Sequence, residues 1–306
     1  MSSLIEQAAE RLEQLRQAGA EMPPAPPAAS QAVSAIQQPI SESQQAIPSS
    51  RSVEINLEAL AAAGIVSPQS PRSQIADQFR VIKRPLINNA MGKGPSVITH
   101  GNLIMVTSAL AGEGKTFTAV NLAMSIATEL DYTVMMVDAD VARPSVMKVL
   151  GLPEGPGLLD LVLDDSSDMS SMLLKTNIDK LTILPAGTPH PRATELLASD
   201  AMIRLLDEIA NRYPDRIIVF DSPPLLLTTE ARVLASHMGQ VVVVVQAGRT
   251  LQSEVRHALA TIEACPVKLM LLNQARTLSQ EGYGYGYGYG PGMGSRPDYP
   301  RRQVKS

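Results

Sequence analysis

The sequence of 306 residues has one cysteine, no tryptophan and few aromatic side chains, which make up 3% of the chain. The single cysteine, Cys265, excludes a disulfide within the chain and a metal cluster held by cysteines. None of the four histidines has ligand spacing to another, so no histidine metal site is predicted. Because most tyrosines lie near the C-terminus, the core is predicted to be aliphatic.

Long apolar runs and a strong net charge are also missing. The longest run, at 241–245, is the size of a strand, whereas a membrane-spanning helix needs about 18 residues or more. The first residues lack the apolar centre of a signal peptide. A net charge of −4 argues against electrostatic binding of nucleic acid by the whole molecule. We therefore expect a cytoplasmic protein that can still dock on something at a membrane.

Composition divides the chain into four parts. Residues 1–17 carry a capping box and an apolar stripe, which predict a short helix that either frays or docks on a partner. Residues 18–52 are rich in Pro, Ala, Gln and Ser and predict a disordered linker. A folded domain is expected at 53–275, followed by a flexible tail rich in Tyr and Gly at 276–306.

Within the domain, apolar runs the length of strands alternate with helical patterns. This alternation predicts an α/β fold with a doubly wound, mostly parallel sheet. The predicted strands are 103–106, 134–137, 181–184, 216–221, 240–246 and 267–273, and the main predicted helices are 57–63, 73–86, 193–212, 229–237 and 250–264.

The segment 102–116 has the pattern of a phosphate-binding loop, in which a strand and a turn of small residues precede Lys115, Thr116 and a helix. Backbone N–H groups of such a loop surround an anion, and the helix N-terminus adds partial positive charge. Ala109 holds the first glycine position of the usual motif, and an ordinary glycine turn is the alternative interpretation. The predicted nucleotide-binding residues are Ala111, Gly112, Glu113, Gly114, Lys115, Thr116 and Phe117.

Carboxylates follow two of the predicted strands. Asp138 and Asp140 come after 134–137, and Asp221 ends 216–221, so all three should meet Lys115 at the carboxyl edge of the sheet. A metal-bound triphosphate needs a cation for its charge and oxygen ligands for Mg²⁺. We predict Thr116, Asp138 and Asp221 at the metal, with Asp138 either a metal ligand or a proton acceptor. The predicted catalytic residues are Lys115, Asp138, Asp140 and Asp221.

Asp77, Arg80 and Lys83 stand three residues apart on a predicted helix. Such a ladder of alternating charge is typical of a solvated, salt-bridged helix face, and it is also suited to contact with a neighbouring subunit. Composition leaves both interpretations open.

The tail contains a Tyr-Gly repeat with Tyr283, Tyr285, Tyr287 and Tyr289. Because glycine neighbours let a chain enter a site in extended form, these tyrosines could accept a phosphoryl group. The alternative is a low-complexity tail with unrelated properties.

Together these motifs resemble the bacterial tyrosine autokinases of exopolysaccharide synthesis, the BY-kinases. In particular, the chain is similar to the soluble branch that accompanies the exosortase/PEP-CTERM system. The resemblance rests on Ala-Leu-Ala-Gly-Glu-Gly-Lys-Thr at 109–116, Val-Asp-Ala-Asp-Val-Ala-Arg-Pro at 137–144, Phe-Asp-Ser-Pro-Pro-Leu-Leu at 220–226 and the tyrosine-rich tail. Ala142 stands where the family usually has arginine, and Arg143 follows it.

The resemblance implies a P-loop NTPase fold with deviant Walker motifs, ATP with Mg²⁺, and phosphoryl transfer to tail tyrosines of a neighbouring subunit. It also implies a ring of subunits in contact through a Glu-x-x-Arg-x-x-Arg helix, matched here in charge by Asp77, Arg80 and Lys83. A membrane-spanning activator, the chain-length determinant, is a separate polypeptide in such systems.

Two other functions fit parts of the pattern. Partitioning and septum-site ATPases share the P-loop branch, but their loop lysine that reaches across a dimer is replaced here by Leu110. A catalytically weak nucleotide-binding scaffold of polysaccharide assembly would carry the same motifs.

Overall fold

The computed structural model describes residues 51–68, 73–164, 167–213 and 215–275. These residues form one eight-stranded sheet with helices on both faces, in the strand order β1-β4-β5-β3-β6-β2-β7-β8. Its strands are β1 Arg51–Val53, β2 Leu103–Ser108, β3 Thr133–Asp138, β4 Leu174–Thr176, β5 Leu181–Leu184, β6 Arg216–Asp221, β7 Gln240–Gln246 and β8 Val267–Asn273. The pairs among β5, β3, β6, β2, β7 and β8 are parallel, and β4 is antiparallel to β5. The predicted doubly wound, mostly parallel sheet is confirmed.

Helices connect the strands and cover the sheet. None within the described ranges is both long enough and apolar enough to cross a membrane. They are α1 Leu57–Ala62, α2 Gln74–Ala90, α3 Lys115–Ala127, α4 Val146–Leu150, α5 Leu158–Leu163, α6 Met169–Met172, α7 Ala193–Leu197, α8 Asp200–Arg212, α9 Glu230–Ala235 and α10 Gln252–Ala260.

The central strands are buried on both faces, because successive side chains of a strand point to opposite sides. In β2, Leu103 and Met105 pack into the core beneath α5 and α7 to α10, while Ile104 and Val106 pack into the core beneath α1 to α4. Both cores consist mainly of aliphatic side chains, as predicted. Burial on both faces explains why these strands are near-continuous apolar runs in the sequence.

Two short strands were missed by the pattern. β1 begins at Arg51, inside the predicted linker 18–52, and it pairs with β4 in parallel. Both strands have three residues and include charged or hydroxyl side chains, so neither has the apolar run that predicts a strand. The domain therefore includes residues before 53.

The single helix predicted at 193–212 is two helices, α7 and α8. The helix is interrupted at Ala198 and Ser199. There the Ser199 hydroxyl accepts a hydrogen bond from the Met202 N–H at 3.2 Å. Ser199 is thus the N-cap of α8, and Asp200 adds a negative charge to its first turn. The apolar periodicity continues across the break and conceals it.

Helix α2 extends to Ala90, four residues beyond the predicted end, although it contains Pro85. A proline within a helix leaves the carbonyl four residues earlier without its donor. Here that residue is Val81, and both Val81 and Pro85 lie on the exposed side of α2, where the proline ring displaces no core side chain.

The predicted charge ladder on α2 divides into a surface pair and a buried lysine. Asp77 and Arg80 form an exposed ion pair. Lys83 is only 2% exposed; its ammonium donates to the Ser125 carbonyl at the end of α3 and lies 2.8 Å from the Glu129 carboxylate. Lys83 therefore joins α2 to α3 within one subunit, which corrects the expectation that it contacts a neighbouring subunit.

Candidate active site

Three neighbouring parallel strands bring the predicted site together. β3, β6 and β2 are adjacent, with Asp138 opposite Asp221 in register and Asp221 opposite Val106. Their carboxyl ends lie at one edge of the sheet, where the loop after β2 leads into α3. This placement is the one that the sequence predicts for Lys115, Thr116 and the three carboxylates.

The loop at 109–116 has the backbone of an anion cradle. Gly112 and Gly114 have φ angles of 85° and 91°, a left-handed conformation that glycine adopts without steric cost. Gly114 is the N-cap of α3, so Lys115 and Thr116 stand in the first turn of the helix. Unpaired N–H groups and the partial positive charge of the helix dipole therefore point at the site.

Lys115 is held over the loop by a carboxylate. Its ammonium donates to Asp140 Oδ2 at 2.7 Å, and the two side chains are 13% and 7% exposed. Asp140 Oδ1 in turn accepts from the Arg143 N–H. The pair keeps a cation in a largely buried position, where it acts more strongly on an anion than it would in water.

Thr116 and Asp221 form the second half of the site. The Thr116 hydroxyl donates to Asp221 Oδ2 at 2.6 Å, and it also lies 2.8 Å from the Ser145 hydroxyl. Burial raises the pKa of Asp221 to about 7; Lys115 and the Thr116 hydrogen bond oppose that rise, and the charges of Asp138 and Asp140 add to it.

The second carboxylate oxygen of Asp221 fits a cation. Asp221 is fully buried, and its Oδ1 has no hydrogen-bond partner. A buried carboxylate oxygen without a partner is costly, and an adjacent divalent cation would remove that cost. Among the described residues, no group of three or more His, Cys, Asp or Glu side chains could hold a metal by itself. The donors present therefore suit Mg²⁺ that keeps water and phosphate ligands.

Asp138 has a different environment from Asp221. Its Oδ2 accepts from the N–H groups of Ser145 and Val146, both at 2.9 Å, and its Oδ1 accepts from the Asp140 N–H. Burial raises its pKa to about 6 against the effect of these three donors. Asp138 thus fixes the start of α4 at the edge of the site, and its role toward metal or proton stays a prediction.

A cavity of about 490 Å³ lies over the loop. Six of the seven predicted nucleotide-binding residues line it, and Glu113 does not. The Glu113 side chain is buried and accepts a hydrogen bond from the Leu110 N–H, so its part in nucleotide binding rests on its backbone N–H and stays a prediction. The lining residues are Ala111, Gly112, Gly114, Lys115, Thr116, Phe117, Asp140, Ala142, Arg143, Pro223, Pro224, Leu227 and Thr228.

Several lining residues were not among the predicted site residues. Arg143 lies at the cavity, and Ser145 binds the Thr116 hydroxyl. Pro223 and Pro224 also line the cavity and follow β6 after Ser222. The Asp-Ser-Pro-Pro run was a usable signal for these prolines, whereas a serine at a helix start gives no hint of its partner.

Comparison with known proteins identifies the family. The family model described as "AAA domain" matches residues 101–271. The tyrosine-protein kinase YwqD of Bacillus subtilis (strain 168) is 30% identical over 206 residues, which cover 67% of this chain and 83% of the relative. The chain belongs to the bacterial tyrosine-protein kinases.

Two further comparisons agree that the chain is a bacterial tyrosine-protein kinase. The tyrosine-protein kinase CpsD of Streptococcus agalactiae is 31% identical over 56% of this chain and 73% of the relative. The crystal structure of the chimerical protein CapA2B2 has a TM-score of 0.57 and 28% identity, covering 73% of this chain and 93% of that one. The family resemblance, the P-loop fold and the tyrosine-kinase activity are confirmed.

The comparisons do not favour the partitioning or septum-site alternative. In the kinase, Leu110 packs partly buried against one core, and its N–H donates to Glu113. ATP and Mg²⁺ are the cofactors of a P-loop kinase, and the residues around the loop fit both. Residues 1–17, most of the predicted linker and the tyrosines of 276–306 lie outside the described residues.

Proposed function

We propose that this kinase transfers the γ-phosphoryl group of ATP to tyrosines in its own C-terminal tail, acting on the tail of a neighbouring subunit. The observation that carries the proposal is the convergence of two pairs, Lys115 with Asp140 and Thr116 with Asp221, on one cavity above the phosphate loop. The proposed acceptors are Tyr283, Tyr285, Tyr287 and Tyr289.

The transfer joins a tyrosine oxygen to the γ-phosphorus, breaks the bond from that phosphorus to the bridging oxygen, and leaves ADP. Mg²⁺ supplies charge neutralisation when it is bound. Lys115 stabilises the negative charge that develops on the phosphoryl oxygens, and Asp140 keeps Lys115 in place. Thr116 and Asp221 hold the metal side of the site. Asp138 is the proposed metal ligand or acceptor of the tyrosine proton.

The position of β8 supports tail tyrosines as acceptors. At the end of β8 the Asn273 amide lies 2.9 Å from the Glu113 carbonyl, so the tail leaves the domain beside the phosphate loop. Tyr283 follows the last described residue, Ala275, by eight positions. An extended chain of that length spans roughly 28 Å. The first tail tyrosine can therefore reach a site up to about that distance from the end of β8.

The setting of the kinase is also part of the proposal. We infer a homo-oligomer in which the exposed Asp77–Arg80 pair of α2 contacts the next subunit, and a membrane activator of the chain-length-determinant type as partner. Such a partner would hold the kinase at the inner membrane, where tail phosphorylation regulates exopolysaccharide synthesis and export. The family resemblance supports this setting.

The test incubates the full-length protein with Mg-ATP and an activating segment of the partner, then maps phosphotyrosine by mass spectrometry. We expect phosphate on the four clustered tyrosines, and a loss of about 100-fold or more in Lys115→Ala, since that variant lacks the cation at the developing charge. Lys148→Ala is the matched control, because Lys148 is exposed on α4. Absence of phosphotyrosine in the unmodified protein would refute the proposed activity.

Transfer between subunits has its own test. A full-length chain with the four tyrosines changed to Phe is mixed with a full-length Lys115→Ala chain that has a different mass tag. Phosphotyrosine on the Lys115→Ala chain demonstrates transfer from the other subunit. If the Lys115→Ala chain carries no phosphotyrosine while the protein without substitutions phosphorylates itself, transfer occurs within one subunit.

A further inference from the structure

Glu113 is an acidic side chain buried beneath a loop that is built to bind anions. It is 2% exposed and stands directly before Gly114 and Lys115. Its Oε2 accepts from the Leu110 N–H at 2.6 Å, and its Oε1 accepts from the Thr250 hydroxyl. The carboxylate thus closes the loop across 110–113 and connects it to the segment that follows β7.

A buried negative charge at this place opposes phosphate binding by repulsion, and burying a carboxylate is costly unless hydrogen bonds satisfy its oxygens. A carboxylate at this position is therefore unfavourable unless its hydrogen bonds stabilise the loop. Both donors named above are neutral groups that belong to the loop or to its support. The contacts thus indicate that Glu113 sets the shape of the loop.

Thr250 is itself fixed in the orientation that this contact needs. Its hydroxyl accepts from the Gln246 N–H at 3.1 Å, and its own N–H donates to the Gln246 carbonyl at 3.1 Å. Because the hydroxyl oxygen already accepts a hydrogen bond from the backbone, its proton is left for Glu113. Thr250 therefore links the end of β7 to the loop through one defined hydrogen bond.

Asn273 supports the same residue from β8. Its Nδ2 donates to the Glu113 carbonyl at 2.9 Å. A Cβ added at Gly114 would lie 2.1 Å from this Nδ2, so any other residue there would displace the Asn273 amide. The backbone of Glu113 is thus held from β8 while its side chain is held from the segment after β7.

We propose that Glu113, Thr250 and Asn273, here called the loop brace, are positioning residues for phosphoryl transfer. They hold the backbone N–H groups of the phosphate loop in their binding orientation before the nucleotide arrives. This inference rests on the proposed nucleotide site and adds two residues, Thr250 and Asn273, that do not line the cavity. A preorganised loop binds phosphate without the entropic cost of ordering it.

The test compares Thr250→Val, which keeps the shape of the side chain and removes the hydroxyl, with Thr250→Ser, which keeps the hydroxyl. Mg-ADP affinity is measured by calorimetry on the full-length protein, with hydrogen exchange of the loop peptide and the melting temperature in parallel. We expect Thr250→Val to bind Mg-ADP about tenfold more weakly, as the loss of a hydrogen bond to a charged group implies. Exchange at the Leu110 amide should also become faster.

Thr250→Ser should bind Mg-ADP within about twofold of the unmodified protein, because its hydroxyl can restore the hydrogen bond. If Thr250 contributed only to stability, Thr250→Val would lower the melting temperature, and the two variants would not differ in Mg-ADP affinity. Asn273→Asp is the second variant and decides the matter if Thr250→Val does not fold. It places an oxygen against the Glu113 carbonyl and should also weaken Mg-ADP binding.

The inference is overturned if the folded variants bind Mg-ADP within about twofold of the unmodified protein, or if Thr250→Ser is as weak as Thr250→Val. If the protein without substitutions binds Mg-ADP but makes no phosphotyrosine, the proposed activity fails, and the affinities of the variants still decide whether the loop brace positions the phosphate loop. If the unmodified protein does not bind Mg-ADP, both fail.

Discussion

At the scale of single residues, two carboxylates at the site have similar burial and different surroundings. Asp138 is bound by three backbone N–H groups, whereas Asp221 keeps one oxygen without a partner. The orphaned oxygen favours Asp221 over Asp138 as the predicted metal ligand. The three donors make Asp138 part of the turn into α4 as well as part of the site.

We predict that removal of Asp221 flattens the pH dependence of stability in metal-free, nucleotide-free protein. Its pKa of about 7 lies above the ordinary value of 3.8, so between these values the folded state holds more protons than the unfolded state. Stability from Asp221 is therefore present below about pH 4 and is lost as pH rises through 7. Asp221→Asn should reduce this fall by about 2–4 kcal/mol.

The measurement is urea unfolding in EDTA at several pH values from 4 to 8. Asp131→Asn is the control, because Asp131 is exposed. If the free energy of unfolding changes with pH equally in Asp221→Asn and in the protein without substitutions, the pKa of Asp221 is not raised in the folded state.

The residues that could be predicted at the site are those whose chemistry belongs to a local motif. Lys115, Thr116 and Asp221 follow from a strand, a loop and a carboxylate at a strand end. The inward turn of Glu113 depends on Thr250, which lies 137 positions away along the chain. Local patterns carry no information on such a contact, so the sequence places Glu113 in the nucleotide-binding loop without indicating that its side chain is buried.

At the scale of elements, the predicted strands are those with a continuous apolar run. β7 and β8 have the predicted bounds, 240–246 and 267–273. The missed strands β1 and β4 are short and lie at one edge of the sheet. They have no apolar run of their own and are strands only through their pairing with a neighbouring strand. The break between α7 and α8 was missed because the apolar stripe outweighs the Ser199 cap.

The buried Lys83 gives a prediction for the connection between α2 and α3. Burial lowers the pKa of Lys83, while the hydrogen bond and charge of Glu129 act in the opposite direction. Lys83→Met would leave the Glu129 carboxylate and the Ser125 carbonyl without this partner. We expect a loss of about 3 kcal/mol in the free energy of unfolding, at the low end for a broken buried pair, because the Glu129 carboxylate is 19% exposed and keeps Arg84 as a distant partner.

Arg84→Ala is the matched control, because Arg84 is 62% exposed and lies 3.7 Å from the same carboxylate. Chemical denaturation should show a change of less than about 0.5 kcal/mol for this exposed pair. If Lys83→Met unfolds like the control and instead changes only the size of the oligomer, Lys83 acts between subunits and the intramolecular assignment is wrong.

At the scale of the whole molecule, the alternation of strands and helices predicts the class of fold but not the strand order. The order β3-β6-β2 depends on crossovers that bring strands distant in sequence side by side. It is this order that places Asp138, Asp221 and the phosphate loop together. The end of β8 beside the loop likewise follows from the sheet and not from any motif in the tail.

Assembly should therefore respond to the state of the tail, which leaves the domain next to the catalytic site. Phosphorylation of Tyr283, Tyr285, Tyr287 and Tyr289 adds about −6 to −8 of charge at neutral pH, to a chain whose net charge is −4. Heavily modified tails should repel one another and the neighbouring subunits. We expect a smaller assembly after incubation with Mg-ATP, measured by size exclusion with light scattering, and a partial return to the larger form at high salt, which screens the repulsion. The variant with all four tyrosines changed to Phe should keep one profile with and without ATP. Identical profiles for the phosphorylated and unphosphorylated protein would show that tail phosphorylation does not change assembly.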